Sequence, residues 1–229
     1  LLTVILCACG VSAEQVEPRP LFVEGYTGAV SYQAGDEIAF HVSTSAPRYD
    51  VEIARLGAER RVVLNKKGIE GREFPVPDNA SSHGCGWPAS WKLTVPEDWP
   101  SGYYHVTMRV EDGGGEFTRR NRRTAEGSMF FIVRAAQPGK NTKILLQLCT
   151  NTYNAYNNWG GHSLYAYHAR NKLQGHRVSF NRPCAGQFSR WELPLVAWAE
   201  RNGYTLDYAA NTDLEFRPDL LKHYRLVLS

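Results

Sequence analysis

The chain lacks an apolar run long enough to cross a bilayer as a helix, and it has no internal repeat and no low-complexity tract. A formal net charge of +3 over 229 residues gives no basic stripe of the kind that tracks a nucleic acid, so charge alone selects no partner. HExxH is missing, and with it the helical zinc-hydrolase pattern. Neither Cys149 nor Cys184 sits in a G-x-C-x-G elbow, the turn that raises a nucleophilic thiol above a helix N-terminus. Cysteine itself is scarce: five residues, of which Cys7 and Cys9 fall in the first apolar stretch.

What is present is a chain with 43% hydrophobic residues, enough to bury a core in one or two domains. The opening "LLTVILCACGVSAEQ" is a short apolar run ending in Val11-Ser12-Ala13, a small-residue cleavage pattern. Residues 1–13 therefore read as a signal peptide, with a secreted or periplasmic destination and the natural N-terminus expected upstream. Two alternatives stay open, a lipoprotein anchored at Cys9 and a buried N-terminal strand. Cleavage leaves Cys85, Cys149 and Cys184, an odd number in an oxidising compartment. For Cys149 and Cys184 the expectation is burial or a mutual disulfide. Asn79-Ala80-Ser81 forms a sequon whose default reading is a turn.

Period-two patterning runs from Leu21 to about Arg134. "EIAFHV", "YDVEI", "SWKLTV", "YYHVTMRV" and "SMFFIVR" alternate apolar and polar residues, and turn formers such as "QAGDE" and "EDGGGE" separate them. This predicts an Ig-like antiparallel β-sandwich of about seven strands over residues 20–135. "AAQPGKNT" reads as a linker.

The grammar then changes. "KILLQLC" is continuously apolar, as suits a parallel strand covered on both faces. "SRWELPLVAWAERNG" places Trp191, Leu195, Trp198 and Ala199 at helical spacing, with Pro194 kinking or restarting the helix. "YTLDYA" and "YRLVLS" are further strands, flanking a helix in "RPDLLKH". Strand, long loop, helix, strand, helix, strand is the order of a partial α/β domain over residues 143–229, expected to continue past Ser229.

In open α/β sheets, ligands bind at the carboxyl ends of the strands. "NTYNAYNNWGG" (151–161) stands at one such end, and its phenols, carboxamides and glycines suit a small polar ligand. Caps, turns and packed aromatics are the competing explanation. Asp207 and Asp213 read as acid–base groups or helix caps. His162, His168 and His176 match no zinc spacing and read as solvated or hydrogen-bonded. "RRNRR" at 119–123 reads as a solvated hairpin tip.

At the string A-Y-N-x-W-G-G-x-S-L-Y, carried by residues 155–165, the chain resembles proteins related to the large (beta) subunit of N,N-dimethylformamidase. The likeness extends through "VSFNRP", "GYTLDYAANTDL" and "DLLKHYRLVLS", and back into "FHVSTSAPRYDVEIARLG" and "VPEDWPSGYYHV". It implies a β-sandwich followed by an α/β domain similar to class I glutamine amidotransferases. It also implies hydrolysis of a small amide at its C–N bond, with a mononuclear iron held by two tyrosines and a glutamate. Carried over residue by residue, Tyr156 and Asn157 of "AYN" are candidate catalytic residues. Tyr156 and Tyr165 are candidate iron ligands. The chain departs from the family at Cys184, where an aromatic residue often follows "RP". The glutamate is expected in a loop after "RLVLS", so residues 1–229 alone are expected to be inactive.

The expectation is thus an exported amidohydrolase acting on a small-molecule amide with a metal-activated water, with no nucleic-acid partner, no membrane span, and homo-oligomerisation left open. The competing expectation is a secreted carbohydrate- or protein-binding module with a degenerate α/β portion.

Overall fold

The structure, a computed structural model, describes residues 20–112, 123–168 and 170–229. The signal segment with its Cys9 alternative and the arginine run at 119–122 lie outside the described residues, as does the side chain of His168. Among the described residues the fold is mixed, rich in strands and poor in helix, with several sheets. The first part contains β1 (Val23–Thr27), β2 (Ser31–Tyr32), β3 (Glu37–Thr44), β4 (Arg48–Leu56) and β5 (Arg60–Glu70). A short helix α1 (Ala80–His83) follows, then β6 (Trp91–Thr94), β7 (Gly102–Asp112) and β8 (Arg123–Val133). They form two sheets, ordered β1-β3-β6 and β2-β8-β7-β4-β5.

Alternation drives the packing of these sheets. Ile38, Phe40 and Val42 of β3 turn inward against Val51 and Ile53 of β4, Val106 and Met108 of β7, and Phe131 of β8. Phe40 lies flat on Trp91 at 3.9 Å between ring centres. Each such residue withdrawn fully from water contributes roughly 1.5–3 kcal/mol, so this shared core dominates the region. The result is eight strands where the pattern suggests about seven, and β2 runs parallel to β8. β5 escapes the pattern because, as an edge strand carrying Arg60, Arg61, Lys66 and Lys67, it buries only Ile69.

The second part contains β9 (Ile144–Leu148), α2 (Thr150–Tyr156), α3 (Phe188–Trp191), α4 (Leu193–Arg201), β10 (Asp207–Ala210), α5 (Asn211–Phe216) and β11 (Leu226–Leu228). Its sheet is parallel throughout, ordered β10-β9-β11. Three differences from the sequence reading stand out. The start of the "long loop" is helical, as α2. "RPDLLKH" gives only a 3-10 turn at Leu220–His223, while α5, just ahead of it, is the regular helix. And the residues read at helical spacing in "SRWELPLVAWAERNG" do not share one environment: Trp191, Leu195 and Trp198 are 61%, 42% and 57% exposed, whereas Ala199 is buried with Val196. Pro194 does restart the helix, standing in the first turn of α4.

Val196 faces a second core that joins the two parts. The outer face of the larger β-sheet supplies Ala54, Leu56, Tyr103, Phe130 and Ile132, and the parallel sheet with its helices supplies Leu146, Leu148, Tyr153, Phe188 and Tyr208. Ion pairs flank it: Arg55 to Glu200 at 2.7 Å and Arg134 to Asp213 at 3.2 Å. Thr150 and Tyr153, just past the carboxyl end of β9, share one small hollow with Tyr26 and Thr27 of β1 and Met129 and Phe130 of β8. No helix among the described residues is long and apolar enough to cross a membrane.

Candidate functional site

β9 and β10 end side by side, and their ends are stitched together. Asn211, directly after β10, accepts from the Asn151 backbone N–H (2.9 Å) through Oδ1 and donates its own N–H to Thr150 Oγ1 (3.2 Å). This fixes the start of α2, which then carries Tyr153 and Asn154 inward and ends at Tyr156.

Beyond α2 the chain folds around one side chain that sequence reasoning missed. Arg182, of "VSFNRP", has no solvent exposure, and its guanidinium donates to the carbonyls of Asn157 (2.9 Å), Trp159 (2.6 Å), His162 (3.1 Å), Asn154 (3.3 Å) and Ser179 (3.0 Å), and to Asn154 Oδ1 (3.3 Å). Burying an ion costs several kcal/mol, and burial pushes this arginine's pKa down from its usual value. Charge-assisted hydrogen bonds return about 1.5–3 kcal/mol each, so a fully occupied guanidinium offsets that cost. Nothing local signals this burial, because an arginine beside a proline in a loop reads as solvated.

Asn157 is held in the same frame. Its Nδ2 donates to Pro183 O (2.9 Å) and its Oδ1 accepts from the Trp159 N–H (3.1 Å). Gly160 and Gly161 have φ of 79° and 107°, a region that disfavours side chains. A Cβ on Gly160 would also stand 3.0 Å from Ser81 N, so the loop sits directly on α1. Trp159 meets Trp87 edge-on at 5.8 Å.

On this frame three phenols converge. Tyr156 stacks on Tyr165 with ring centres 4.1 Å apart and planes 30° apart, and Tyr167 lies 5.5 Å from Tyr165. The Tyr156 hydroxyl shares hydrogen bonds with those of Tyr167 and Tyr165. The bond to Tyr167 raises the Tyr156 pKa above the ordinary phenol value, and the bond to Tyr156 raises that of Tyr165. Both are neutral phenols at pH 7. Tyr167 was not singled out from the sequence, although the repeat in "YAY" sets it two residues beyond Tyr165.

The other candidates fall elsewhere. Asp213 caps α5 by accepting from the Ala210 N–H (2.7 Å) and pairs with Arg134 and Arg217. Asp207 opens β10 and accepts from Tyr224 Oη (2.8 Å) and the Gly139 N–H (3.2 Å). His162 contacts Leu173 O through Nδ1 (3.2 Å) and His176 is exposed. Cys85, Cys149 and Cys184 are free thiols, so the Cys149–Cys184 disulfide is not formed. Burial raises all three, Cys85 to about 12, which leaves them as inert thiols at neutral pH. Among the described residues no three His, Cys, Asp or Glu side chains come together.

Comparison with known proteins identifies the family. Residues 50–229 match the family described as N,N-dimethylformamidase beta subunit-like, C-terminal. The N,N-dimethylformamidase beta subunit of Alcaligenes sp is 25% identical over 189 residues, an alignment that takes in 63% of this chain and 23% of that protein. The chain thus spans about a quarter of the length of that relative. Among solved structures, the sporulation control protein Spo0M of Bacillus subtilis aligns with 53% of this chain and 51% of its own at 14% identity and a TM-score of 0.32. The bacterial superantigen toxic shock syndrome toxin-1 aligns with 50% of this chain and 99% of its own at 12% identity and a TM-score of 0.26. Neither structural likeness bears on fold or function. The match over residues 50–229 decides the matter: this chain belongs to the N,N-dimethylformamidase beta subunit-like family.

Proposed function

We propose that the protein is an exported hydrolase of a small amide, cleaving a C–N bond, and that Tyr156 and Tyr165 carry its metal. The observation behind this reading is the convergence of the Tyr156, Tyr165 and Tyr167 phenols after the carboxyl end of β9, in a chain of this family. The donor set suits a ferric ion: two hard phenolic oxygens, already within hydrogen-bonding reach of each other. Iron bound there supplies Lewis acidity toward a carbonyl and a water.

The chain's own residues have defined tasks in this reading. Tyr156 and Tyr165 release their phenol protons to become ligands, so metal uptake strengthens as pH rises. Asn157, with both ends of its carboxamide bonded to the loop, keeps Tyr156 at its station. Arg182 fixes the carbonyls of Asn154, Asn157, Trp159 and His162 and so holds the wall on which the phenols stand. An Ig-like sandwich and a glutamine-amidotransferase-like sheet are part of the same proposal, supported by the eight-strand core and the parallel β10-β9-β11 order.

The test uses the full-length protein. Ferric loading should produce a visible phenolate-to-iron charge-transfer band, with release of formate and dimethylamine from N,N-dimethylformamide or the equivalent products from a related amide. Tyr156→Phe should abolish both. Undiminished activity in Tyr156→Phe and Tyr165→Phe would sink the proposal.

A further inference from the structure

A second concavity lies away from the phenols. It runs between the turn joining β4 to β5 and the flank of α4, with a volume of about 720 Å3, and no residue from 150 to 187 lines it. That volume is in the range of sites for small organic ligands, roughly 300–1,000 Å3. Its floor is apolar, built from Leu56, Leu193 and Ala197, and its ionisable lining is basic throughout: Arg60, His105 and Arg201. Arg60 shares one guanidinium nitrogen with Glu52, and Arg201 has no ion-pair partner among the described residues. Glu200, the nearest acid on α4, is committed to Arg55 and to the Ala58 N–H. His105 touches Thr107 Oγ1 (3.3 Å), and burial together with Arg60 lowers its pKa, so it adds a neutral polar ring to the wall.

An apolar floor between two arginines, without a lining carboxylate, is complementary to one kind of ligand. We propose that this groove is a binding site, separate from the phenol cluster, for a small organic carboxylate with an apolar body. The planar guanidinium fork pairs with a carboxylate through two parallel hydrogen bonds, and Leu193 and Ala197 take the apolar remainder. A phosphate offers the same charge without the apolar contact, and a neutral isostere offers the contact without the charge.

These differences define the experiment, equilibrium binding of benzoate to the purified chain by calorimetry and saturation-transfer NMR, with benzyl alcohol and inorganic phosphate as the other arms. Benzoate should bind saturably and at least tenfold tighter than either. Arg201→Gln and Arg60→Gln, both surface changes expected to leave the fold intact by circular dichroism, should each weaken it at least fivefold. Arg201→Lys should lose less than Arg201→Gln. Absence of saturable benzoate binding, equal binding of phosphate, or unchanged affinity in both glutamine variants would overturn the proposal. So would affinity lost only in Tyr156→Phe, which would put the ligand at the phenols.

Discussion

Arg182 shows how one side chain can decide the shape of a loop. Its guanidinium donates to five backbone carbonyls and one carboxamide oxygen around the end of α2 and the following turns, and of those carbonyls Asn154 O also accepts from the Asn157 N–H. Arg182→Leu removes every donor at once and strands those acceptors in a dry environment. The expected loss is about 3–5 kcal/mol of stability by urea denaturation, with amide exchange protection lost through residues 154–163. Arg182→Lys keeps the charge but has three donors in place of five, so it should recover only part of the loss. A loss below about 1 kcal/mol in Arg182→Leu would show that the loop is held by other contacts, the Trp159–Trp87 packing first among them. The same side chain explains why the candidate site was only half legible in the sequence. Tyr156 and Tyr165 stand in a recognisable string, but the residue that fixes their wall lies 26 positions after Tyr156, and nothing local marks it as buried.

At the scale of elements, alternation was readable where one face of a strand meets the core, as in β3 and β6, and it fades at the end of β8, where both faces are buried. It failed at β5, whose edge position needs no apolar face, and at β2, which is too short to show a period. The α3–α4 segment failed differently. It is apolar on two sides, and periodicity identifies a helix without saying which side is covered. The spacing put Trp191, Leu195, Trp198 and Ala199 on one helix face, yet of these only Ala199 is covered, together with Val196. The outward rings cover one another, Trp198 stacking on Tyr204 at 5.9 Å and Trp191 lying under the Arg190 guanidinium at 4.9 Å. Val196→Ala should therefore cost about 2 kcal/mol, while Trp198→Gln should change stability by no more than about 0.5 kcal/mol. Denaturation midpoints of the two variants compare these directly, and a larger loss in Trp198→Gln would reverse the assignment of faces.

For the whole molecule the governing question is how the parallel sheet is held together and to the strand-rich part, and Asp207 and Asp213 each answer one half of it. Asp207 ties the start of β10 to the linker at Gly139 and to Tyr224 before β11. Burial raises its pKa, with the two hydrogen bonds pulling the other way. A carboxyl whose folded pKa exceeds its unfolded one stabilises the fold below the ordinary carboxylate range, and loses that contribution as pH rises through the folded value. Stability should decline across that interval in the parent and not in Asp207→Asn, as read from urea midpoints against pH; identical slopes would remove Asp207 from the account. Asp213 ties the two parts together directly. Its carboxylate, 3% exposed, collects the Ser31 hydroxyl (2.7 Å), the Ala210 N–H (2.7 Å), Arg134 (3.2 Å) and Arg217 (3.0 Å), and Arg134 and Ser31 come from the strand-rich part. Asp213→Ala uncaps α5 and leaves Arg134, itself 8% exposed, without its nearest counter-charge. The combined loss should reach about 3 kcal/mol, because Arg134 is then left with only the longer pair to Asp36 at 3.6 Å and a buried charge with a weakened partner is costly. Arg134→Met, made together with Asp213→Leu, replaces both charges by apolar groups and should recover much of that loss. If Asp213→Ala instead unfolds in a single transition at the parent midpoint, the pair does not hold the two parts together, and the apolar contacts around Phe130, Tyr103 and Phe188 carry the joint alone.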